Sequence, residues 1–572
     1  MSNWEQEFDV VVLGSGAGGM TAALTSAIEG LSVGLFEKSQ WFGGTTANSG
    51  GGIWIPASKQ AGQTSTPDST EAVKQFLQYE LGDLYDANLI DAFLESGPVA
   101  LDYLAQHSDV QFQLGPLPDY HTDSPGAVTH GRALFPTPFD GRQLGKHFKT
   151  LRSPWKRFLL LGGMMVGRRE LPALTHPFSS FANFKLVVSM LVRYAMDRIT
   201  FHRGTHLLIG NALAARLLYS LIQRHVHLQN CAKAVELIQD NDKVIGVVIE
   251  TPEGLVRVRA RIGVVLATGG FPHDVNLRQE LASNFPHTLS SAFKESAGDG
   301  LSLARQVGSA VDQKMQNPAF WTPASTVMEK DGSQTVMPYG HLDRGKPGAI
   351  IVNANAQRFV NEADSYHDVI VAYFQQIDSN ARKHTYLICD HFFIRQYGLG
   401  AARPWPFPLY PLIQSGYLHQ ALTLRALAEK LQLDVNQLAS TVATHNQCAV
   451  TGEDLEFGKG NSAFNRYNGD AKCQPNPCLR AIEVAPFYAI RIHPASLGTA
   501  IGIKTNANAQ ALNEQGQPID GLFVCGNDMA SIMKGAYPGP GVTLGPAIAF
   551  GYRAAMQMKQ QHQLMPNSRL DL

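Results

Sequence analysis

Three glycines near the amino end have the spacing that a dinucleotide pyrophosphate requires. Gly14, Gly16 and Gly19 stand in the segment GSGAGG, which fits the pattern G-x-G-x-x-G. The first glycine permits a tight turn, the second lets the backbone approach phosphates, and the third lets a helix pack closely on a strand. Peptide N–H groups at a helix start attract phosphate oxygens. Glu37 follows at the distance where an acid accepts a hydrogen bond from a ribose hydroxyl.

The segments around these glycines have the order that positions such a motif. Residues 8–13 (FDVVVL) predict a buried parallel strand, residues 20–29 a helix, and residues 31–36 a second strand that ends at Glu37. Together they predict a Rossmann-type nucleotide-binding unit. The motif alone leaves NAD and FAD open as the cofactor.

Further glycine-rich segments are predicted to contact the same ligand. Residues 43–52 read GGTTANSGGG, so the main chain can pass close to a flat molecule. Residues 244–250 and 255–260 predict a hairpin. Strands at 262–266 and 521–524 run into glycine-containing turns, and a closing helix is predicted to reach about Met558. Both chain ends are therefore expected in one nucleotide-binding domain.

Composition restricts the possible partners. The 572 residues carry a net charge of −1, which argues against a polyelectrolyte partner such as nucleic acid. The six cysteines are scattered without a Cys-x-x-Cys pair, so no metal site is predicted and a cytoplasmic location is expected. No segment contains the ~18 consecutive apolar residues of a membrane-spanning helix.

A set of segments adds a family resemblance. In chain order they are GSGAGG, FEKSQWFGGTTANSGGGIWIP, ATGGF, AGDG, GAIIVNANAQRFVNEADSYHDV, APFYAIRIHPASLGT, VCGN and YPGPGVTLGPAIAFGYRAA. They resemble the 3-ketosteroid Δ1-dehydrogenases, a family within the fumarate-reductase-like flavoproteins, and cover most of the chain except about 151–204. The resemblance implies FAD, held non-covalently because TTANSGG lacks the histidine that tethers flavin in succinate dehydrogenases.

The implied fold class is α/β plus α+β, with a discontinuous Rossmann-type FAD-binding domain and an inserted catalytic domain. Residues 1–150, 205–312 and 491–572 would form the FAD-binding domain. Residues 313–490 would form the catalytic domain, and residues 151–204 an insertion.

The resemblance also implies a reaction. It is the introduction of a C1–C2 double bond into the A-ring of a 3-ketosteroid, by proton abstraction at C2 and hydride transfer from C1 to FAD. Tyr537 and the N–H of Gly541 would hold the ketone oxygen, Tyr366 would remove the proton, and Tyr120 would support Tyr366. We expect glycine at 541 to keep side-chain atoms away from its N–H. A tyrosine with an ordinary pKa of about 10 is a weak base at neutral pH, so it needs a neighbouring donor.

The expected FAD contacts lie in the glycine-rich segments and around the acid. They are Gly14, Gly16, Ala17, Gly18, Gly19, Glu37, Lys38, Gly43, Gly44, Thr45, Thr46, Ser49, Gly50, Gly51, Ala234, Ala267, Thr268, Gly269, Asp299, Gly526, Asn527, Gly541, Val542 and Leu544. Tyr488 is interpreted as a packing residue near the domain junction, and His367 as a surface or hinge residue.

The insertion combines basic side chains with apolar stretches at 158–166 and 186–192. Its basic residues are Arg152, Lys156, Arg157, Arg168, Arg169, Lys185, Arg193, Arg198 and Arg203. Only Glu170 and Asp197 oppose them. Basic flanks around short apolar helices suit a structure that lies on an anionic membrane surface, on the inner face of the cell membrane. A lid or an oligomer contact is the alternative.

Other functions stay open. A related 3-ketosteroid Δ4-(5α)-dehydrogenase would differ in the contacts around Tyr537. A fumarate-reductase-like enzyme needs arginine clamps for two carboxylates, and the segment YPGPG stands where such enzymes place an arginine. A membrane-surface flavoprotein that only binds a sterol or passes electrons would not need Tyr366 and Tyr537 together.

After LGT the sequence reads Ala500-Ile501-Gly502 where the family usually has a Gly-Gly pair. The natural steroid, the electron acceptor (a quinone or another oxidant) and the oligomeric state are left open.

Overall fold

The fold is seen in a computed structural model that describes residues 4–63, 68–167, 170–283, 288–329, 332–339, 343–376 and 384–564. The α-helices are α1 Ala17–Ile28, α2 Thr70–Leu81, α3 Ala87–His107, α4 Leu171–Thr175, α5 Phe181–Thr200, α6 Ile209–Gln223, α7 Val275–Leu281, α8 Asp299–Gln306, α9 Tyr366–Gln375, α10 His391–Gln396, α11 Tyr410–Gln414, α12 Leu424–Leu431, α13 Val435–Thr451, α14 Ala463–Asn468 and α15 Leu544–Leu564. Short 3-10 helices span Thr45–Asn48, Ala61–Gln63, Gly82–Leu84, Gly141–Thr150, Lys156–Phe158 and Gly526–Asp528.

The strands are β1 Gln6–Leu13, β2 Val33–Phe36, β3 Ile53–Trp54, β4 Phe112–Leu114, β5 Ala133–Pro136, β6 Phe139–Asp140, β7 His206–Leu207, β8 His227–Gln229, β9 Lys233–Asp240, β10 Lys243–Thr251, β11 Gly254–Leu266, β12 Leu289–Ser290, β13 Val311–Asp312, β14 Ala319–Met328, β15 Gln334–Pro338, β16 Ala349–Val352, β17 Thr385–Cys389, β18 His419–Ala421, β19 Phe487–Thr499, β20 Gly502–Ile503, β21 Gln510–Leu512 and β22 Pro518–Val524.

The first sheet joins segments from both ends of the chain. Its order is β21-β22-β11-β1-β2-β8, and β10 and β9 extend it from β11. β1 runs parallel to β2 and to β11, and β11 runs parallel to β22. The carboxyl ends of β1, β11 and β22 therefore meet at one edge of the sheet, where ligands of parallel sheets bind.

Several predicted elements differ from the observed ones at their boundaries. Helix α1 begins at Ala17, not at residue 20, because Gly16 is extended and acts as its N-cap. The predicted hairpin is present, but its second strand continues without a break into the segment predicted as a separate strand. The first half of β11 pairs antiparallel with β10 and the second half parallel with β1. Helix α15 reaches Leu564, beyond the predicted end.

The second sheet has the order β15-β14-β19-β17-β16, with β12 and β18 also paired to β19. Helix α9 packs on β14 through an apolar cluster that contains Trp321 and Ile370. This contact places the first residue of α9, Tyr366, towards the junction with the first sheet. The second sheet thus carries one of the predicted catalytic side chains on a helix start.

The insertion contains the long helix α5, preceded by the five-residue α4, and not two short apolar helices at 158–166 and 186–192. Residues 158–166 do not form the predicted apolar helix, because Leu161 and Gly162 have positive φ angles of 50° and 75° that turn the chain. Within α5, Asp197 is the buried side chain among those described. Arg168 and Arg169 lie outside the described residues. Among the described helices, none is both long and apolar enough to cross a bilayer.

Candidate active site

One cavity of about 1030 Å³ extends between the two sheets and brings the predicted site residues together. Every expected FAD contact lines it except Gly43 and Val542. The N–H of Gly43 instead donates to Ser15 Oγ at 3.0 Å, and Val542 lines a small neighbouring cavity. We call the part lined by Gly14–Gly19, residues 44–51, Ala267–Gly269 and Gly526–Asn527 the glycine end. The part lined by Tyr120, Tyr366, Tyr537 and Gly541 is the tyrosine end.

The glycine end fits a pyrophosphate. Gly14 has φ +103°, and a Cβ there would lie 2.3 Å from Ala267 O, so the turn requires glycine. At Gly16 a Cβ would meet only Thr46 Oγ1, at 3.8 Å, and the space in front of it is open to a ligand. Helix α1 begins there with no acidic residue in its first turn, so its N–H groups and dipole favour an anion.

Glu37 braces the glycine loop as well as lining the cavity. Its Oε2 accepts hydrogen bonds from Ser15 N at 3.1 Å and Ser15 Oγ at 2.6 Å, and its Oε1 accepts one from Ser39 N at 2.9 Å. Lys38 and Asp299 form an ion pair beside it. Ser15 was not predicted from the sequence, although it lies inside the glycine motif. The position of Glu37 supports a ribose contact, with part of its hydrogen-bonding capacity already used by the protein.

Asp528 is a buried acid that sequence reasoning missed. Its carboxylate accepts from Thr268 Oγ1 at 3.0 Å and from Gly270 N at 2.8 Å, and burial raises its pKa. It therefore ties the turn after β11 to the segment after β22. The only sequence signal was an acid directly after Gly526-Asn527, and nothing in that pattern specifies a partner so distant along the chain.

The tyrosine end assembles side chains from three distant segments. Tyr120 lies in the loop before β5, Tyr366 begins α9, and Tyr537 lies in the loop before α15. The hydroxyl of Tyr120 donates to Tyr366 Oη at 3.1 Å. The ring of Tyr537 stacks on Tyr120 with centroids 5.6 Å apart, and it meets Tyr366 edge-on at 5.1 Å. The backbone N–H of Tyr120 donates to Pro538 O at 2.8 Å, which joins the first and third segments.

Burial dominates the acid–base properties of these tyrosines. It raises the pKa of Tyr120, Tyr366 and Tyr537 well above the ordinary value of 10. Tyr366 is therefore neutral at pH 7. When Tyr366 is a phenolate its oxygen can only accept, so Tyr120 then donates to it and stabilises the charge. The pair has the geometry of a base with its supporting donor.

Glycine at position 541 is required for a different reason from the one expected. Its φ is +99°, and a Cβ would lie 2.4 Å from Gly52 O. Trp54 N also donates to Gly541 O at 3.1 Å. The residue thus lets two backbone segments pack against each other, and this contact holds the 541 peptide at the cavity wall.

His367 and Tyr488, the other two residues singled out from the sequence, do not belong to the tyrosine end. Of the two places predicted for His367, surface or hinge, the surface is wrong: its side chain is buried, and its Nδ1 accepts from Trp321 N at 3.1 Å. Burial lowers the pKa of His367 to about 4, so the ring is neutral and packs 5.8 Å from that of Tyr537. Tyr488 lies in the core of the second sheet, where its hydroxyl bonds His391 and Gln420.

The wall beyond the tyrosines is largely apolar. It includes Leu114, Leu117, Phe135, Pro136, Leu159, Met165, Val166 and Leu208. The sequence offered no signal for this set, since its members come from unrelated segments, including the insertion. Among the described residues that line the cavity, Arg152 is the only arginine, and it pairs with Glu295 at 3.3 Å. The pair of arginines that a dicarboxylate clamp needs is therefore not formed by these residues.

Known proteins share this architecture. Residues 9–544 match the family described as FAD binding domain. Over 568 residues the chain is 34% identical to the 4-oxocyclohex-2-ene-1-carboxylate 5-dehydrogenase of Sinomonas cyclohexanicum, covering 98% of this chain and 95% of that protein. It is 33% identical over 572 residues to the 3-oxosteroid 1-dehydrogenase of Mycolicibacterium smegmatis, covering 97% of each. The crystal structure of 3-ketosteroid Δ1-dehydrogenase from Sterolibacterium denitrificans with 1,4-androstadiene-3,17-dione matches with a TM-score of 0.89 and 33% identity, covering 97% of this chain and 100% of that one.

Proposed function

The chain belongs to the family defined by the FAD binding domain and is an FAD-dependent oxidoreductase, and on that premise we propose that it introduces the C1–C2 double bond into the A-ring of a 3-ketosteroid. The observation that carries this proposal is the tyrosine end. There two hydrogen-bonded tyrosines and a third stacked tyrosine face one apolar chamber that is continuous with the glycine end.

The first step is polarisation of the ketone. We assign the Tyr537 hydroxyl and the Gly541 N–H as the donors to the C3 oxygen, where negative charge develops as the adjacent proton leaves; both residues line the cavity. Two donors held by the surrounding fold in a largely apolar chamber are already in place, so they cost little reorganisation during the reaction. Such an arrangement favours the enolate-like transition state over the neutral ketone.

The second step is proton removal by Tyr366. The ionised fraction of Tyr366, which has lost its own hydroxyl proton to solvent, accepts the C2 proton at Oη and becomes neutral. The hydrogen bond from Tyr120 stabilises this phenolate before the transfer. An oxidised flavin held by the residues of the glycine end would supply the acceptor for the C1 hydride. The apolar wall holds the remaining steroid rings and excludes water from the reacting carbons.

A monocyclic oxocyclohexane carboxylate is the second candidate substrate. The 34% identity to an oxocyclohexene carboxylate dehydrogenase favours it, and the same ketone chemistry would serve. Its carboxylate would need a cation, and the cavity-lining Arg152 already faces Glu295. Glu170, which also lines the cavity, would repel an anion. The size and apolar wall of the cavity favour the steroid.

Anaerobic reduction of the bound flavin tests both candidates. We expect 5α-androstane-3,17-dione to bleach the flavin and give the 1-ene, identified by NMR of the product. A 4-ene product would instead assign the related Δ4-(5α)-dehydrogenase activity. Bleaching by 4-oxocyclohexanecarboxylate without bleaching by any 3-ketosteroid would overturn the steroid proposal, and succinate serves as the negative control.

The proposed location is the surface of an anionic membrane, reached through α5. Phe178 and Phe181 before and at the helix start, and Ile199 near its end, are more than 80% exposed. Lys185 and Arg198 lie on the same helix. Exposed apolar side chains beside cations suit the interface of an anionic bilayer, and a steroid substrate partitions into that bilayer.

Liposome flotation tests the membrane proposal. Protein should float with vesicles that contain anionic lipid and less with neutral vesicles. A Phe181→Asp/Ile199→Asp variant should remain in the lower fractions while its flavin is still reduced by dissolved substrate. Leu455→Asp, at a residue 90% exposed on the other domain, is the matched control. Wild-type protein that stays unbound to anionic vesicles would remove this proposal.

The domain division belongs to the same proposal. The first sheet, from residues 1–150, 205–312 and 491–572, would be a Rossmann-type FAD-binding domain. Residues 313–490 would form the catalytic domain, with β19 running across the second boundary. Limited proteolysis of holoenzyme that cut within 151–204 before either sheet would support treating the insertion as a separate element.

A further inference from the structure

His121 directly follows Tyr120 and contacts two acids from different helices. Its Nδ1 lies 2.6 Å from Glu80 Oε2, near the end of α2. Its Nε2 lies 2.9 Å from Asp368 Oδ2, in the first turn of α9. Carboxylates only accept hydrogen bonds, so both ring nitrogens must donate, and an imidazole that donates from both nitrogens is cationic.

The acids on either side are themselves fixed. Glu80 Oε1 accepts from Ser124 Oγ at 3.0 Å, within the same loop as His121. Asp368 Oδ2 accepts from Ser365 Oγ at 2.6 Å, and Ser365 is the N-cap of α9. The bridge therefore links α2, the Tyr120 loop and the start of α9 through side chains with defined partners.

The electrostatic surroundings agree with a charged ring. Burial alone lowers the pKa of His121, but the facing carboxylates of Asp368 and Glu80 outweigh burial and raise it to about 11. Among the described residues, the other charged or titratable groups that act on Asp368 or His121 include Asp364, the neutral His367, the buried Arg344 and the Tyr120 hydroxyl. The His121 ring therefore stays protonated on both nitrogens around neutral pH.

The position of the bridge matters because of what adjoins it. Tyr120 is its neighbour on one side, and Tyr366 begins the helix turn that carries Asp368. The two hydroxyls meet at 3.1 Å although 246 residues separate them. A contact that short depends on the relative placement of the loop and the helix, and a shift of about 1 Å at a reacting group can cost about 100-fold in rate.

We propose that His121 is a positioning residue that joins Glu80 to Asp368 and so holds the Tyr120 hydroxyl against Tyr366. This inference rests on the proposed function for its kinetic consequence, but the bridge itself is independent of the substrate. Without the His121 cation, the like charges of Glu80 and Asp368 would repel each other. Because Ser124 of the loop is hydrogen-bonded to Glu80, this repulsion would move the loop away from α9.

The kinetic test uses holoenzyme and anaerobic flavin reduction by whichever cyclic ketone bleaches wild type. His121→Gln should slow flavin reduction at least tenfold, with little change in the substrate concentration that gives half the maximal rate. His121→Arg, whose guanidinium always donates, should recover most of the rate. Lys74→Gln, which breaks the α2 ion pair to Asp91, is the matched control and should behave as wild type. In His121→Gln the isotope effect from deuterium at the proton-donating carbon should rise, and that from the hydride-donating carbon should not.

A substrate-free measurement keeps the two proposals distinguishable. In NMR spectra of wild-type protein that contains 15N-labelled histidine, one ring should have both nitrogens protonated at pH 8.5. The signal of that ring should be absent from the spectrum of His121→Gln. Failure of every ketone to reduce wild-type flavin would defeat the proposed function, yet this signal would still report the bridge. The positioning role is overturned by a neutral His121 at pH 8.5, by a His121→Gln variant as fast as wild type, or by a slow variant whose isotope effects are unchanged.

Discussion

The glycine end and the tyrosine end of the cavity are built in opposite ways. At the glycine end the main chain forms the wall, and Gly14 and Gly16 serve because they lack side chains. At the tyrosine end side chains form the wall, and their hydroxyls are placed by contacts between distant segments. Backbone walls suit a ligand held by its phosphates, whereas aligned hydroxyls suit a reaction. Substitutions at the two ends should therefore separate cofactor binding from turnover.

The largest effect is expected at the tyrosine end. Tyr366→Phe removes the proton acceptor and should slow anaerobic flavin reduction by about 10³-fold, as the loss of a general base typically does. FAD affinity, measured by fluorescence titration of apoprotein, should stay unchanged because Tyr366 belongs to the other end. A Tyr366→Phe enzyme with near-normal reduction rates would remove the assignment of Tyr366 as the base.

The pH dependence of flavin reduction should report the ionisation of Tyr366. Burial raises the pKa of Tyr366 well above 10, so the ionised fraction grows throughout the range in which the enzyme can be assayed. The rate of flavin reduction should therefore rise with pH, by up to about tenfold per unit and about 100-fold between pH 7 and 9 if ionisation is rate-limiting. Stopped-flow traces across this range would measure it, and a rate that falls above pH 7 in folded enzyme would contradict this account.

The glycine end should respond in cofactor affinity. Gly16→Ala adds a methyl group where the protein itself leaves room, so the apoprotein should fold normally and bind FAD about 50-fold more weakly through steric exclusion. Gly19→Ala is the contrast, because its Cβ would lie 2.2 Å from Gly14 O. That variant should unfold at lower temperature even without FAD. Equal thermal stability of the two apoproteins would break the distinction between a ligand-facing and a packing glycine.

The smallest effect is expected at Glu37. Glu37→Gln keeps the shape but removes the charge that Ser15 and Ser39 bond, and loss of about 1.5 kcal/mol in charge-assisted hydrogen bonding weakens FAD by about tenfold. The flavin reduction rate at saturating FAD should not change. Isothermal titration and stopped-flow reduction of the same preparation would separate the two. A slower reduction with normal FAD affinity would show that the two ends are coupled.

Most of the residues predicted to contact FAD line the cavity, and their contacts with FAD stay predictions. FAD, the oxidoreductase class and the combination of fold classes are confirmed. Two of the predicted FAD contacts do not line this cavity. They are Gly43, whose N–H donates to Ser15 Oγ, and Val542, which lines another cavity. The tyrosines were named only through the family resemblance, and their roles stay predictions. His367 was placed wrongly because a histidine beside a helix start carries no local mark of the strand that buries it.

The sequence by itself determined the features that depend on neighbouring residues. Strand, turn and helix around Gly14–Gly19 follow from backbone geometry over a few residues, and a helix start binds phosphate wherever it lies. Tertiary structure alone decided the contact between Tyr120 and Tyr366, the bridge of His121 between two helices and the apolar wall that includes Leu159 and Met165. Hydrogen bonds and pKa shifts depend on distances between segments far apart in the chain, which no local pattern of residues specifies.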